Sequence, residues 1–245
     1  MEPTNTRARD ALALAFASLF PLAMAYLYFV LMDDPEGGTN PFLLSAYGAA
    51  KSVQFIFPAA FVAWFYRDQI RFTPPTRRGI PLAVGFGLAV GVAMFALYFI
   101  WFRHLPGVLD TAAPKIHDRL RQSGQITPLS YLGLAVFLSC IHSLGEEYYW
   151  RWFVFGWMRK HLPSALAIGL SSVGFMLHHV VILNAFFVGN FWSLTMPFAF
   201  GVAMGGGVWA WIYERSGSLY APWLSHCLID GAIMGVGYLI LERYW

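Results

Sequence analysis

The sequence predicts an all-α protein, a polytopic bundle of about seven membrane-spanning helices. Three observations lead there. Only 12% of its 245 residues are charged against 58% hydrophobic, where a soluble globular domain carries about 25% charged residues. Seven apolar stretches of roughly spanning length recur along the chain, separated by polar connections. No linker or second composition interrupts them, so residues 1–245 read as a single integral-membrane domain. Backbone inside a bilayer must satisfy its own hydrogen bonds, and a helix does so within one segment.

The first apolar run, Ala11–Met32, is about a full span long and has no clear small-residue cleavage site, so it reads as a span and not as a leader. An acidic turn, Asp33–Gly38, follows. The second span is Pro41–Tyr66, interrupted by Lys51 and Gln54. Lys51 reads as a lysine snorkelling to an interface, with a functional role as the alternative. A basic loop, Arg67–Arg78, contains Pro74-Pro75. The third span, Ile80–Trp101, is rich in Gly and Ala, which permit close helix approach in membranes.

Arg103 to Ile126 is the longest polar stretch, with Ile116 and Leu120 spaced among charges of both signs. It reads either as an amphipathic helix at the interface or as a connecting loop. The fourth span, Pro128–Trp157, carries Glu146-Glu147, with Arg159-Lys160-His161 at its aqueous end and Pro163 opening the next element. Ser164–Leu183 is the fifth segment and Asn184–Ser193 a short connection. Leu194–Tyr213 is the sixth, where Gly201, Gly205, Gly206 and Gly207 suggest a face for close packing. Glu214–Ser218 is a turn before the seventh span, Leu219–Leu241. No internal repeat is evident.

Positive residues set the expected orientation. With the N-terminus inside, nine Lys or Arg fall inside (Arg7, Arg9, Arg67, Arg71, Arg77, Arg78, Arg159, Lys160, Arg215) and five outside (Arg103, Lys115, Arg119, Arg121, Arg243). The formal charge of +3 is topology information and not a nucleic-acid footprint. Short loops and the lack of eukaryotic targeting signals point to a prokaryotic inner membrane. Cys140 and Cys227 both sit in apolar runs and read as small buried residues, not a disulfide framework.

Polar groups in three of the spans are costly there. One charged residue at a helix centre costs about 2.5–3.5 kcal/mol on insertion scales, and such residues usually face the protein interior and mark a functional path. Glu147 and Arg151 are four apart and share a helix face, as an ion pair would. Glu146 is rotated by about 100° and escapes that pairing, leaving it available as a general base. His142 lies one turn earlier on the Glu146 face and reads as a pocket-wall residue. Phe175 and His179 repeat the four-residue spacing in the fifth segment, as do His226 and Asp230 in the seventh. His178 reads as packing or interfacial, with a backup claim on the catalytic role that the spacing from Phe175 gives to His179. The set converges a carboxylate, two imidazoles and an acid, which suits hydrolysis: a carboxylate takes a proton from water while imidazoles position it or stabilise an oxyanion.

Glu-Glu-x-x-x-Arg at 146–151, Phe-x-x-x-His at 175–179 and His-x-x-x-Asp at 226–230 resemble, in order, the three motifs of the CPBP (Abi) intramembrane proteases. That family includes the type II CAAX prenyl endopeptidases. The resemblance covers roughly residues 128–242 and implies a glutamate-dependent membrane peptidase with no cofactor. It implies that Glu146 activates the attacking water, that His179 helps hold it, and that His226 binds water or substrate. Glu147, Arg151 and Phe175 would support them. Asp230 stands where the family has Asn or Asp; an ionised Asp cannot donate to an oxyanion, so it is protonated there or orients His226. The implied partners are membrane lipid and a membrane-associated peptide or protein: a CAAX-like prenylated peptide, a bacteriocin or immunity-related peptide, or a sorting-tail precursor.

Two other readings remain open. Glu146, His179 and His226 would make an acceptable catalytic zinc set, although the usual His-Glu-x-x-His helix motif is absent. Chains of Asp, Glu and His also build proton relays in transporters, or polar glue in a scaffold; inverted repeats would favour transport, and none is seen.

Overall fold

A computed structural model describes residues 4–32, 41–67, 76–124 and 127–245. Among these residues the regular structure is helical, and seven helices are long and apolar enough to cross a membrane. The expected acidic turn at Asp33–Gly38 and the double proline of the basic loop lie outside the described residues, as does Ile126 at the end of the long polar stretch.

Helix α1 spans Thr4–Tyr26 and continues into a π-helical turn, Leu27–Leu31. Helix α2 is Pro41–Phe65 and α3 is Ile80–Ile100. The stretch after α3 is a helix, α4, Val108–Gln122, which buries Val108, Ala112, Ala113 and Leu120. Of the two readings of this stretch the amphipathic helix holds: its apolar stripe faces the bundle, Asp110, Asp118 and Arg121 are exposed, and Arg119 lies over the Tyr28 and Phe29 rings at 5.2 and 5.7 Å. It caps one end, where the His117 ring stacks on Tyr244 at 4.4 Å and Lys115 Nζ reaches the Ala185 carbonyl at 3.4 Å.

Helix α5 is the longest span, Pro128–His161. A Thr127–Ser130 capping box and Pro128 in the first turn start it. It ends four residues later than Trp157, the expected boundary, because Leu162 is the residue that turns extended, as the residue before a proline prefers. Helix α6, Ser164–Phe186, also overruns its expected end at Leu183. Asn184 does not stop it; the turn is made by Gly189, at φ 79°, and Asn190, whose carbonyl receives the first backbone bonds of the next helix. Helix α7 therefore begins earlier than expected, with a π-helical turn at Phe191–Thr195 that runs into Met196–Ser216. Helix α8 is Tyr220–Leu241.

The bundle core centres on α5. Tyr149, Trp150, Phe153, Val154 and Phe155 pack with Phe61 and Val62 of α2 and Phe175 of α6. Tyr149 Oη donates to the Ala17 carbonyl of α1 at 2.8 Å, and Trp223 Nε1 of α8 donates to the Cys140 carbonyl at 2.8 Å. Large apolar side chains elsewhere point outward; Trp64 is 82% exposed and Trp192 79%. In water that pattern would be an aggregation surface, so here it is the lipid-facing surface of an integral membrane protein. The glycines of α7 divide: Gly206 and Gly207 face Ser172 on α6 and do permit close approach, whereas Gly201 meets open space. Cys140 and Cys227 are half-buried free thiols with their sulfurs 3.4 Å apart.

Candidate active site

The site begins with the helical geometry of α5. An α-helical turn, Ser143–Glu147, is flanked by π-helical stretches at Phe137–His142 and Tyr148–Phe155. π-helical turns are rare and recur at functional sites. Each alters the angular step between side chains, so the two glutamates leave the helix between two phase shifts.

Glu147 is fully buried. Its Oε1 lies 3.2 Å from Arg151 Nη1 and 2.8 Å from His226 Nδ1. A carboxylate oxygen accepts, so His226 Nδ1–H is the donor. The guanidinium sits over Phe175 at 4.7 Å and over Trp209 at 4.9 Å, and Nη2 reaches the Gly206 carbonyl at 3.4 Å. Gly206 has no room for a side chain: a Cβ there would lie 3.3 Å from Phe175 Cδ1 and 3.4 Å from Arg151 Nη2. Phe175 thus serves the site as one wall of a guanidinium slot.

Glu146 faces the other way, as expected. Its Oε1 is 3.8 Å from His178 Nε2 and its Oε2 is 3.6 Å from His226 Nε2. Glu146, His178 and His179 each bring one ligand atom within 4.8 Å of the others. His179 Nδ1 is 2.9 Å from the Phe175 carbonyl. A carbonyl only accepts, so Nδ1 carries the proton and Nε2 keeps its lone pair. His226 Nε2 is also 3.6 Å from Asp230 Oδ1, and the Trp209 ring stacks on the imidazole at 4.0 Å. Trp209 is itself fixed by Nε1–H to Ser225 Oγ at 3.1 Å. Glu146 and His226 are buried, while the Asp230 side chain is 19% exposed and His179 is half-buried.

All seven residues singled out in the sequence meet here: Glu146, Glu147, Arg151, Phe175, His179, His226 and Asp230. Sequence reasoning gave no site role to Trp209 or Gly206 and ranked His178 behind His179. His178 does pack, with its ring parallel to Trp150 at 5.7 Å, yet its Nε2 also faces Glu146. The only signal was its adjacency to His179. Trp209 and Gly206 had no distinguishing signal, since tryptophan and glycine are common in membrane helices. His142 lines the wall as expected, edge-on to Phe55 with ring centres 6.2 Å apart.

Fold and site together define a polytopic membrane protein with a buried carboxylate–imidazole centre. Residues 128–232 match the family model described as type II CAAX prenyl endopeptidase Rce1-like, the family that the three motifs resemble. The matched segment runs from the start of α5 to just past Asp230 and contains all three motifs. No curated protein matches the chain, and no solved structure does.

Proposed function

We propose that the protein is an intramembrane endopeptidase that hydrolyses a peptide bond of a membrane-associated or C-terminally tagged substrate, using water activated by Glu146. The observation that carries this reading is the division of labour between the two carboxylates. Glu147 is engaged by Arg151 and His226, while Glu146 stands 3.6–3.8 Å from two imidazole nitrogens. Those separations are too long for direct hydrogen bonds, which leaves the Glu146 carboxylate free to accept from a water. The matched family model supports a CAAX-type peptidase activity.

In this mechanism Glu146 takes one proton from the water as its oxygen attacks the scissile carbonyl. His179 Nε2 accepts the water's second hydrogen and orients it. His226, held by Glu147 from Nδ1, presents Nε2 to the reacting centre and stabilises the developing oxyanion as a donor when protonated. Asp230, beside that Nε2, orients His226. Glu146 then returns its proton to the leaving amine.

A second reading keeps the same residues in a different role. The donor set Glu146, His178 and His179 is of a type that holds zinc, and His179 has its Nδ1–H tied to a backbone carbonyl, as metal-bound histidines usually do. A metal there would supply a polarised water. This set differs from the Glu146, His179 and His226 trio expected above: among the described residues, the ligand atoms that come within 4.8 Å of one another are those of Glu146, His178 and His179, while His226 Nε2 lies beside Glu146 and Asp230.

The test uses full-length protein in lipid nanodiscs with a farnesylated Cys-aliphatic-aliphatic-X peptide, and mass spectrometry of the products. Wild type should release the C-terminal tripeptide and Glu146→Gln should not. Membrane peptidomes of cells carrying either form extend the test to other substrates. If both forms give identical products everywhere, the peptidase reading fails and a transporter or scaffold becomes the better one.

A further inference from the structure

One ionisable group inside the bundle has no part in the chemistry above. Lys51 lies on α2, ten residues after Pro41 and fourteen before Phe65, so its Cα is about 15 Å and about 21 Å from the helix ends. Its four-carbon stem is too short to bring the ammonium to either end, so the snorkelling expected from the sequence does not hold. Lys51 Nζ donates to Gln54 Oε1 at 3.2 Å, and Gln54 is buried. The Tyr47 ring lies 5.8 Å away. Among the described residues no carboxylate is within ion-pairing distance of the ammonium. A charge at mid-membrane with one neutral acceptor is costly, and such charges mark functional paths.

Its direction is set by Phe55, one turn along the same face of α2. Phe55 Cε1 sits 3.0 Å from where a Cβ would stand on Gly145, and its ring is edge-on to His142. That contact turns the Lys51 face of α2 toward the turn of α5 that bears Glu146. Lys51 is within electrostatic reach of both Glu146 and His142. An anionic ligand at this depth has a compensating cation waiting, beside a carboxylate that would otherwise repel it. A lipid headgroup does not reach mid-membrane, whereas a peptide threaded to Glu146 does.

We propose that Lys51, steadied by Gln54, binds a carboxylate of the peptide whose bond Glu146 hydrolyses; this rests on the peptidase reading above. The carboxylate is either the peptide's free C-terminus or an acidic side chain close to the cleaved bond. Lys51 is then a specificity determinant for substrate acids.

The experiment uses full-length protein in nanodiscs with three labelled farnesylated peptides: one ending in a free carboxylate, the same peptide as its C-terminal amide, and that amide with an Asp beside the scissile bond. Cleavage is followed in wild type, Lys51→Met and Lys51→Arg, and binding by fluorescence quenching in wild type, Glu146→Gln and Glu146→Gln/Lys51→Met. Wild type should favour the acid over the amide by at least about 10-fold in kcat/KM, mainly through KM, as expected for a desolvated charge pair. Lys51→Met should bring that ratio close to one, and Lys51→Arg should restore most of it. The Asp-bearing amide regains the preference if a side-chain carboxylate is the ligand, and does not if the C-terminus is. If Lys51→Met lowers cleavage of all three peptides equally, or wild type cleaves neither the acid nor the Asp-bearing amide better than the plain amide, the proposal is overturned while the peptidase reading stands. If nothing is cleaved but acid binding still exceeds amide binding in a Lys51-dependent way, the peptidase reading fails alone. Absence of any acid preference in binding overturns the anchor.

Discussion

Glu146 and Glu147 are adjacent in the chain and differ entirely in company, which makes them separable by substitution. Glu146→Gln keeps the shape and removes the base, so hydrolysis should fall by at least about 10²-fold with melting temperature nearly unchanged. Glu147→Gln strands the buried Arg151 guanidinium, and breaking a buried pair costs about 3–5 kcal/mol. It also weakens the acceptor for His226 Nδ1, so activity per folded molecule should fall as well. Arg151→Gln should match it in stability. Activity and melting temperature measured on all three variants decide the assignment: a folded, inactive Glu147→Gln beside a fully active Glu146→Gln would reverse it. The pairing of Glu147 with Arg151 was legible because four-residue spacing puts both on one helix face. The bond from Glu147 to His226 was not, because it joins residues 79 apart in the chain. His178 packs on Trp150 as expected, and its second contact, with Glu146, was not legible for a related reason: at one residue's separation, only the packing of α5 against α6 determines which imidazoles meet Glu146. Removing metal is the residue-scale test of chemistry. If water is activated by Glu146 directly, activity should survive strong chelation, and purified protein should contain no stoichiometric zinc by elemental analysis. Loss on chelation with recovery on added zinc would establish the Glu146–His178–His179 set as ligands.

At the scale of elements, hydrophobic runs and prolines made the spans legible, and the fine structure of α5 and α7 was not. Helices α1 to α3 begin or end within a few residues of expectation, because apolar runs bounded by charge or by Gly-Pro chemistry carry that information locally. The π-helical stretches around Glu146 carry no such signal; they arise from how α5 meets its neighbours. Close approach of α7 was read from its glycines, but the four were indistinguishable in sequence. The structure separates them. Gly206→Leu should push against Phe175 and Arg151, costing about 1–3 kcal/mol, as overpacking does. Because it loosens the guanidinium slot, it should lower activity too. Gly201→Ala faces open space and should leave both unchanged. Thermal unfolding and peptide cleavage on the same preparations test this; equal effects at the two positions would mean that the α6–α7 contact does not govern the site.

The whole molecule is sided in a way that no single helix reveals. Asp10 near the start of α1, Tyr66 just after α2 and His161 at the end of α5 meet in one cluster: Tyr66 Oη is 2.6 Å from the Asp10 carboxylate, and His161 Nε2 is 3.0 Å from it. Arg159 pairs with Glu214 at the end of α7 at 2.6 Å, and Gly79 before α3 packs on Ser216 and Ala221. These positions all belong to one membrane face. Phe102, Phe187 and Phe198 pack together at the opposite end, and α4 and Tyr244 also lie there. Alternating ends of this kind are what seven spans require, and they put the two termini on opposite faces. The contacts fix which loops share a side but not which side is cytoplasmic; that depends on charge. The face with the Asp10 cluster also carries Arg7, Arg9, Arg77, Arg78, Arg159, Lys160 and Arg215, so by the positive-inside bias we propose that it is the cytoplasmic face. Reporter fusions placed after Arg78 should therefore read cytoplasmic, and fusions after Gly37 or Gly107 external. If all three read the opposite way, the bundle is intact and inverted. If Arg78 and Gly107 read alike, the third span does not cross, and the seven-span architecture itself is wrong.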